Sequence, residues 1–495
     1  MTNILKDRSL ADLLRLGAEI EQQFMCMYLY GAYSVKKRYV EGQFEDETSV
    51  DYLPPEHRPL LEEARRWVSN IYTVARQEME HLALVNNLLR AIGEAPYFAR
   101  DNLNTVTDNT QDHIFKWFPL SAEGGAGHVP FDPILKGGEA DDFTLIPSCK
   151  EAHIKPKEFD FALTPFTKEA VRAWTCMEAP CLATLNKTPS LCANWCFTCC
   201  DPDEANRLDQ GSYAGMISKL YEEILNRFKK LAADQYVVPS QDQVALLQQY
   251  DIYVFPVTDF VSAKQAIDLI TTQGEGNHAS IDYPSHYRRF FEIEKRYQEQ
   301  PQLYWELLTN PSEEDIVNPT TRGLFILSNQ AYELLLLILT ALYALPQLPQ
   351  QAPFLASALK QEAFSPIMTM IIRSLSELLV QLKVSHVSNK RVASNFDISQ
   401  EVRALLVEPY CEPISSNSEV ALKPDIGDIN KLLERFNLFN QGLASVDLKD
   451  EDVANPLLIS WARERLDYIK TNAQRIQVNL SRITQVGIYS LLDAG

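Results

Sequence analysis

The sequence predicts an all-α protein in which an N-terminal four-helix bundle with long loop excursions is followed by a second helical bundle domain. Apolar residues recur at helical spacing in two long stretches near the N-terminus, and nearly all of the chain after about residue 311 has a helical pattern. The 495 residues exceed what one hydrophobic core usually holds. We therefore expect the bundle within residues 1–305, with inserted loop segments at 95–165 and 179–212, and the second domain within residues 306–495.

Two long amphipathic helices open the predicted bundle. Ser9 is a favourable N-cap for a first helix that continues to about residue 36, and a second helix is expected from about residue 60 to 92. Their apolar stripes contain Leu10, Leu14, Gly17, Met25 and Tyr28 in the first helix and Ala64, Val68, Ile71, Ala75 and Val85 in the second. A proline-containing acidic linker separates the two helices, which favours an antiparallel pair.

The remaining helices are expected in two groups. They cover about residues 167–178, 213–231, 263–272 and 286–298 in the bundle, and about residues 322–345, 356–382, 429–438 and 455–492 in the second domain. Residues 95–165 lose the helical period and are rich in proline, glycine and aromatic residues, which predicts an extended excursion over the bundle surface. Loops of this length inside a compact domain are usually functional. Residues 384–423 are expected to form a loop or a small irregular segment.

The composition excludes several classes of function. A formal charge of −20 and a pI near 4.9 repel a phosphate backbone, so we expect no nucleic acid partner and no docking on anionic lipid. The first residues include acidic side chains and no unbroken apolar segment, unlike a signal peptide. The longest apolar run, residues 334–345, is too short to cross a bilayer and predicts a buried helix. We therefore expect a cytoplasmic protein without membrane contact.

Six of the nine cysteines lie between residues 176 and 200. In a reducing compartment such a cluster indicates bound metal or reactive thiols more than a disulfide framework. Its core, Cys192-x3-Cys196-x2-Cys199-Cys200, does not match the two separated Cys-x2-Cys pairs of a zinc ribbon. Ordinary buried or exposed thiols are the alternative interpretation.

Three side chains with metal-ligand chemistry lie on the apolar stripes. Glu21 continues the stripe of the first helix, and Glu78 and His81 continue that of the second. Residues three apart leave the same face of a helix, so Glu78 and His81 can reach one cation. A Glu-x-x-His on one helix is common by chance, so this motif alone does not indicate a metal site. Buried carboxylates, however, cost on the order of several kcal/mol unless positive charge lies nearby. A di-iron or di-manganese centre supplies that charge. Glu19 and Glu80 fall off the stripes and are expected to be solvated or paired at a helix edge.

The second half of the ligand set has competing candidates. Glu178 ends a predicted helix in phase with its apolar residues, whereas its competitor Glu222 lies away from the apolar face of the next helix. Glu275 stands between two glycines, where the backbone can approach a site closely. Its partner is either His278, in a literal Glu-x-x-His, or His286, which begins the next helical run. A surface histidine in a loop is the alternative for either position.

Several motifs occur in a fixed order within about residues 9–298: LGAEIEQQFMCMYLYGAYS, ARQEMEHLALVNNLLRAIGEAPYF, FTKEAVRAWTCMEAP, ITTQGEGN and SHYRRFFEI. In these motifs the chain resembles the ferritin-like family that includes the iminophenylpyruvate dimer synthase of violacein biosynthesis. The resemblance implies a ferritin-like bundle, prefers His286 to His278, and places the ligands at Glu21, Glu78, His81, Glu178, Glu275 and His286. The chain departs from the family in having Glu21-Gln22 where Glu-His is frequent, and in its cysteine-rich insert.

The ligand set and the resemblance predict a non-haem di-iron oxidase or oxygenase that acts with dioxygen on a small, amino-acid-derived substrate of secondary metabolism. Two iron ions are the expected cofactor, manganese or a mixed pair is the alternative, and no nucleotide cofactor is indicated. Tyr28 or Tyr287 is a candidate redox or proton-relay group. A non-catalytic protein that binds or senses iron and a metal-free helical scaffold are the rival functions. The long segment 95–165 favours the enzyme.

Overall fold

A computed structural model of the protein describes residues 8–36, 58–103, 133–135, 145–147, 162–178, 216–236, 243–245, 252–274, 284–297, 303–344, 352–409 and 429–492. Helices dominate these residues, so the predicted all-α class is confirmed. The regular β-structure within the described ranges is one antiparallel pair of three-residue strands, β1 (Pro133–Leu135) and β2 (Leu145–Pro147).

The first two helices form the predicted antiparallel pair. Helix α1 covers Leu10–Ser34 and begins where the Ser9 side chain accepts a hydrogen bond from a backbone N–H in the first turn, and α2 covers Arg58–Ala91. Arg15, near the start of α1, forms a 2.7 Å ion pair with Glu94, just after the end of α2. The two helices therefore run in opposite directions along each other.

Two pairs of shorter helices complete the bundle. Helices α3 (Lys168–Met177) and α6 (His286–Arg296) pack together, as do α4 (Met216–Phe228) and α5 (Phe260–Gly274). Toward its C-terminal end α1 contacts α3, and toward its N-terminal end it contacts α4, while α2 contacts both α5 and α6. The third and fourth positions of the four-helix bundle are therefore each filled by two shorter helices that follow one another. Helices α3 and α4 lie along α1, and helices α5 and α6 lie along α2.

The long excursion between α2 and α3 connects opposite ends of the bundle. Helix α2 ends beside Arg15, whereas the backbone N–H of Phe166, just before α3, donates to the Ser34 hydroxyl at 2.7 Å. Arg15 and Ser34 lie near opposite ends of α1, whose 25 residues extend about 37 Å. Segment 95–165, of which the structure describes only parts, therefore joins opposite ends of the bundle.

The C-terminal part is a second group of helices. It contains α7 (Pro319–Ala344), α8 (Ala352–Glu362), a π-helical segment (Ala363–Ile372), α9 (Arg373–Leu379), α10 (Gln400–Val407), α11 (Ile429–Ser445) and α12 (Ile459–Leu492). The single helix expected at 356–382 is helical without a break from residue 352 to 379, but its middle is π-helical around Pro366, which has no N–H to donate. The expected loop at 384–423 contains α10, so that prediction is wrong for residues 400–407.

The C-terminal helices cover the outer face of the α1–α2 pair. Gln22 Nε2 donates to the Tyr332 hydroxyl at 2.7 Å, and the Tyr343 hydroxyl donates to the Ala83 carbonyl at 2.9 Å. The buried side chains of both parts form one continuous core, and the division at residues 305 and 306 stays a prediction. Helix α7 is long and apolar enough to span a membrane by composition, but 78% of its most apolar window is buried within the protein.

Gly31 permits the close approach of α1 and α3. A Cβ at this position would overlap a ring carbon of Trp174, which itself packs on Tyr28 with ring centroids 5.4 Å apart. We expect Gly31→Ala to destabilise the protein by about 1–2 kcal/mol net of helix propensity, measured by thermal or urea unfolding.

The matched control for this variant is Gly323→Ala in α7, where, among the described residues, nothing beyond the adjacent residues and the surrounding helix backbone lies within 4 Å of the added Cβ. We expect that substitution to be neutral or to stabilise the protein by up to about 1 kcal/mol, because alanine is the better helix former. Equal unfolding midpoints for the two variants would contradict the close packing of α1 on α3.

Candidate metal centre

Five of the six predicted ligand residues lie together in the interior of the bundle. Glu21 is at the middle of α1, Glu78 and His81 are on α2, Glu178 directly follows α3, and His286 is the first residue of α6. Each of them is at most 2% exposed to solvent. Four elements that are distant in sequence therefore deliver three carboxylates and two imidazoles to one buried place.

Other candidates from the sequence lie elsewhere or outside the described residues. Glu222, the competitor of Glu178, is exposed on α4. Glu275 and His278 fall outside the described residues, as do segment 179–212 and the side chains of the cysteine cluster at 176–200. Gly274, the last residue of α5, lies against Glu178, because a Cβ there would be 3.4 Å from Glu178 Oε2. The chain thus reaches the site one residue before Glu275.

Glu78 lies between the two histidines. Its Oε2 is 3.3 Å from His81 Nδ1, and its Oε1 is 2.9 Å from His286 Nδ1. The two imidazole rings are stacked with centroids 5.3 Å apart. One carboxylate therefore offers a different oxygen to each imidazole, which is the arrangement of a group shared between two sites.

A second carboxylate accompanies each histidine. Glu21 Oε2 is 3.3 Å from His81 Nδ1, and Glu178 Oε1 is 3.5 Å from His286 Nδ1. The cluster thus divides into two similar halves, one made of Glu21 and His81 and the other of Glu178 and His286, with Glu78 common to both.

Each half also receives a tyrosine hydroxyl. Tyr221 on α4 donates a short hydrogen bond to Glu21 Oε1, and Tyr28 on α1 donates to Glu178 Oε1 at 2.6 Å. Burial and the neighbouring carboxylates raise the pKa of both tyrosines well above the usual value, so both stay protonated as donors. Tyr287, the other tyrosine suggested by the sequence, stacks on Phe291 of α6 with ring centroids 6.2 Å apart.

The carboxylates make the site attractive to positive charge. Burial opposes charge on His286, but Glu78 and Glu178 raise the pKa of His286 to about 9, and hydrogen bonds to Glu21 and Glu78 raise the pKa of His81 well above its usual value. Burial raises the pKa of Glu21 to about 7, and although burial also opposes charge on Glu78, His286 lowers the pKa of Glu78. Without metal, the cluster therefore binds protons, whose positive charge compensates the carboxylates. A metal cation would compensate the same negative charge.

A hydrogen-bonded chain behind His81 sets which ring nitrogen faces the site. Glu80 accepts from the Tyr253 backbone N–H at 2.7 Å on one oxygen and from Gln273 Nε2 at 3.0 Å on the other. The Gln273 amide oxygen therefore faces His81 Nε2, at 2.8 Å, and must accept its proton. This leaves His81 Nδ1 directed at Glu21 and Glu78, as a metal-ligating imidazole requires.

The donor set fits transition metal ions. Glu78, His81 and His286 each offer a ligand atom, and these atoms all lie within 4.8 Å of one another. His286 Nε2 is buried and makes no hydrogen bond within the described part of the chain. Carboxylate oxygens with imidazole nitrogens are donors that suit iron and manganese.

Sequence reasoning missed several residues around the site. Tyr221 was recognisable as a polar-tipped residue on the apolar face of α4, but Gln273 carries no signal in its own helix because its partners come from α2. Glu80 and Glu19 are buried and paired rather than solvated, and Glu19 accepts from a backbone N–H at 3.2 Å. Gln22, where the family often has histidine, faces the C-terminal helices instead of the cluster.

A match to a known protein family supports the architecture. A family model described as Ferritin-like matches residues 14–295. A crystal structure of a ferritin-like protein from Caulobacter vibrioides is similar with a TM-score of 0.35 and 18% identity, covering 65% of this chain and 82% of that chain. No curated protein matches the sequence, and the resemblance to the iminophenylpyruvate dimer synthase stays a prediction. Because the matched residues make up more than half of the chain and enclose the five buried ligand candidates, this protein belongs to the ferritin-like family.

Proposed function

We propose that this protein is a non-haem dimetal oxidase or oxygenase that acts with dioxygen on a small, amino-acid-derived molecule. The supporting observation is the shared position of Glu78, which turns one carboxylate oxygen toward each of two buried imidazoles. Two iron ions are the proposed cofactor, with manganese or a mixed pair as the alternative. The substrate class and the cytoplasmic location remain proposals that rest on the sequence.

Glu21 and His81 would hold one ion, Glu178 and His286 would hold the other, and Glu78 would contact both. We expect Glu275 to complete the set, because the preceding residue, Gly274, already lies against Glu178. When bound, the two metal ions would supply electrons for the reduction of dioxygen. They would also supply the positive charge that offsets the carboxylates.

The protein's own groups would prepare the site for this chemistry. Glu78 and its neighbours keep His81 and His286 protonated without metal, so binding must release these protons. Tyr28 and Tyr221 keep a proton on a hydroxyl that is directly hydrogen-bonded to a carboxylate, where proton donation to a nearby reacting group is possible. The burial of the five clustered ligand candidates excludes bulk water from the cluster.

We expect protein purified without added metal to contain about two transition metal ions per chain by elemental analysis. Both ions should be lost together in Glu78→Ala, because each half of the cluster uses one oxygen of this carboxylate. Glu222→Ala is the matched control, since Glu222 is an exposed glutamate of the same bundle.

Circular dichroism would establish that both variants remain helical. Retention of either ion by folded Glu78→Ala would contradict the shared role of Glu78. A wild-type protein that contains no metal and refuses added iron would favour the metal-free scaffold.

Dioxygen uptake separates the enzyme from a protein that only binds or senses iron. We expect iron-loaded protein, tested in an oxygen electrode with the proteinogenic amino acids and their 2-oxo acids, to consume dioxygen beyond the amount of bound iron with at least one compound. Glu78→Ala should lack this uptake. Uptake that stops at an amount set by the bound iron, whatever the added compound, would support the non-catalytic alternative instead.

We expect Gln273→Leu to weaken metal binding by about 10- to 100-fold, because His81 then loses the acceptor that orients its ring. The measurement is competition for the metal with a chelator of known affinity. Thr272→Ala, at the adjacent exposed position of α5, should bind as the wild type does. Identical affinities for the two variants would show that the hydrogen bond from His81 to Gln273 does not position the imidazole.

A further inference from the structure

His286 lies at the start of its helix, unlike three of the other ligand candidates. Glu21, Glu78 and His81 have helical turns on both sides, because they lie inside α1 and α2. His286 is the first residue of α6, so a regular helix supports it only from the C-terminal side. The imidazole of His286 therefore keeps one position only if other contacts fix the backbone at the start of α6.

Arg289 supplies such contacts. Its backbone N–H donates to the Ser285 carbonyl at 2.9 Å, and its side-chain Nε donates to the Pro284 carbonyl at 3.2 Å. Ser285 is the buried N-cap of α6, and its side chain accepts a hydrogen bond from the Arg288 N–H. Arg289 thus holds both residues that precede His286, one through its backbone and the other through its guanidinium group.

The same guanidinium group joins α6 to α2. Arg289 Nη1 donates to Asn70 Oδ1 at 2.9 Å. Arg289 is three residues after His286, and Asn70 is eight residues before Glu78, so each pair lies along one stripe of its helix. The contact of Arg289 with Asn70 therefore lies farther along the same two helices as the contact of His286 with Glu78.

The contacts between α6 and α2 occur in antiparallel order. From the start of α6 toward its end, the partners are His286 with Glu78, Arg289 with Asn70, and Tyr297, directly after α6, with Trp67. These contacts fix the position of α6 along α2. A displacement by one helical residue, about 1.5 Å, exceeds the tolerance of a metal–ligand bond, which is about 0.2 Å.

The planar guanidinium group suits this double contact. Its Nε and Nη1 donate in fixed relative directions, so the Pro284 carbonyl and the Asn70 amide are held at a fixed separation. Lysine offers one nitrogen on a flexible chain instead. The backbone just before His286 is thereby joined to the helix that carries Glu78 and His81.

We propose that Arg289 is a positioning residue for His286, which it holds beside Glu78 by joining the start of α6 to Asn70 of α2. This inference rests on the proposed dimetal site. Arg289 acts on one half of the cluster, because Glu21 and His81 lie inside α1 and α2 and do not depend on where α6 begins. It would therefore set the affinity for the ion between Glu178 and His286 and leave the other ion unaffected.

Titration of the full-length protein with Co²⁺ under anaerobic conditions, in competition with a chelator of known affinity, tests the proposal. We expect the wild type to bind two ions. Arg289→Met keeps the length of the side chain but removes its donors, and it should weaken the binding of one ion about tenfold or more while the other binds unchanged. Asn70→Ala should have the same selective effect from the other helix.

A conservative variant and its rescue separate positioning from a loss of charge. Arg289→Lys retains the charge but not the double contact, so it should weaken the same ion. The double variant Arg289→Lys/Asn70→Asp should recover part of the lost affinity, because an ammonium–carboxylate pair joins α6 to α2 again.

Arg296→Met is the matched control, because Arg296 also lies on α6 but pairs within that helix, with Glu292 at 3.6 Å. It should bind both ions as the wild type does. Circular dichroism would establish that the variants remain helical. Unchanged binding of both ions in Arg289→Met and Asn70→Ala, or equal weakening of both ions, would overturn the positioning role. A wild type that binds no Co²⁺ would instead overturn the dimetal site itself.

Discussion

The placement of Glu78 between two buried imidazoles is the constraint on which the rest of the bundle depends. Three carboxylates at one buried place would cost on the order of several kcal/mol each without compensating positive charge. The imidazoles of His81 and His286 provide that charge when protonated, and the proposed pair of cations would provide it when they are not. The fold is therefore compatible with a protonated cluster and with a metal-loaded one, and both states require all four contributing elements to meet.

Because two short helices fill each of the third and fourth positions of the bundle, several helix ends lie at the site. Glu178 follows the end of α3, His286 begins α6, and α5 ends at Gly274 beside Glu178. Side chains at helix ends are free of the face restrictions that apply within a helix, so they can converge from segments that do not share one axis. Glu21 and Glu78 come instead from the interior of two long helices, where neighbouring turns hold them in place.

The C-terminal helices determine how much of the surface of α1 and α2 is buried. Because they cover the outer face of this pair, α1 is buried on nearly all sides, and its polar residues there need partners from the second group of helices. Gln22 finds such a partner in Tyr332, away from the cluster.

Helical periodicity by itself determined the all-α class and the inward direction of Glu21, Glu78 and His81, because each follows from the spacing of apolar residues within one helix. The linker between the two long helices determined that they form an antiparallel pair. Only the tertiary structure decided that Tyr221 meets Glu21 and that Gln273 orients His81, since these contacts join elements about 200 residues apart. It also decided that Glu80 is buried. A sequence pattern reports the faces of its own helix, whereas the partner of each face is set by how distant helices pack.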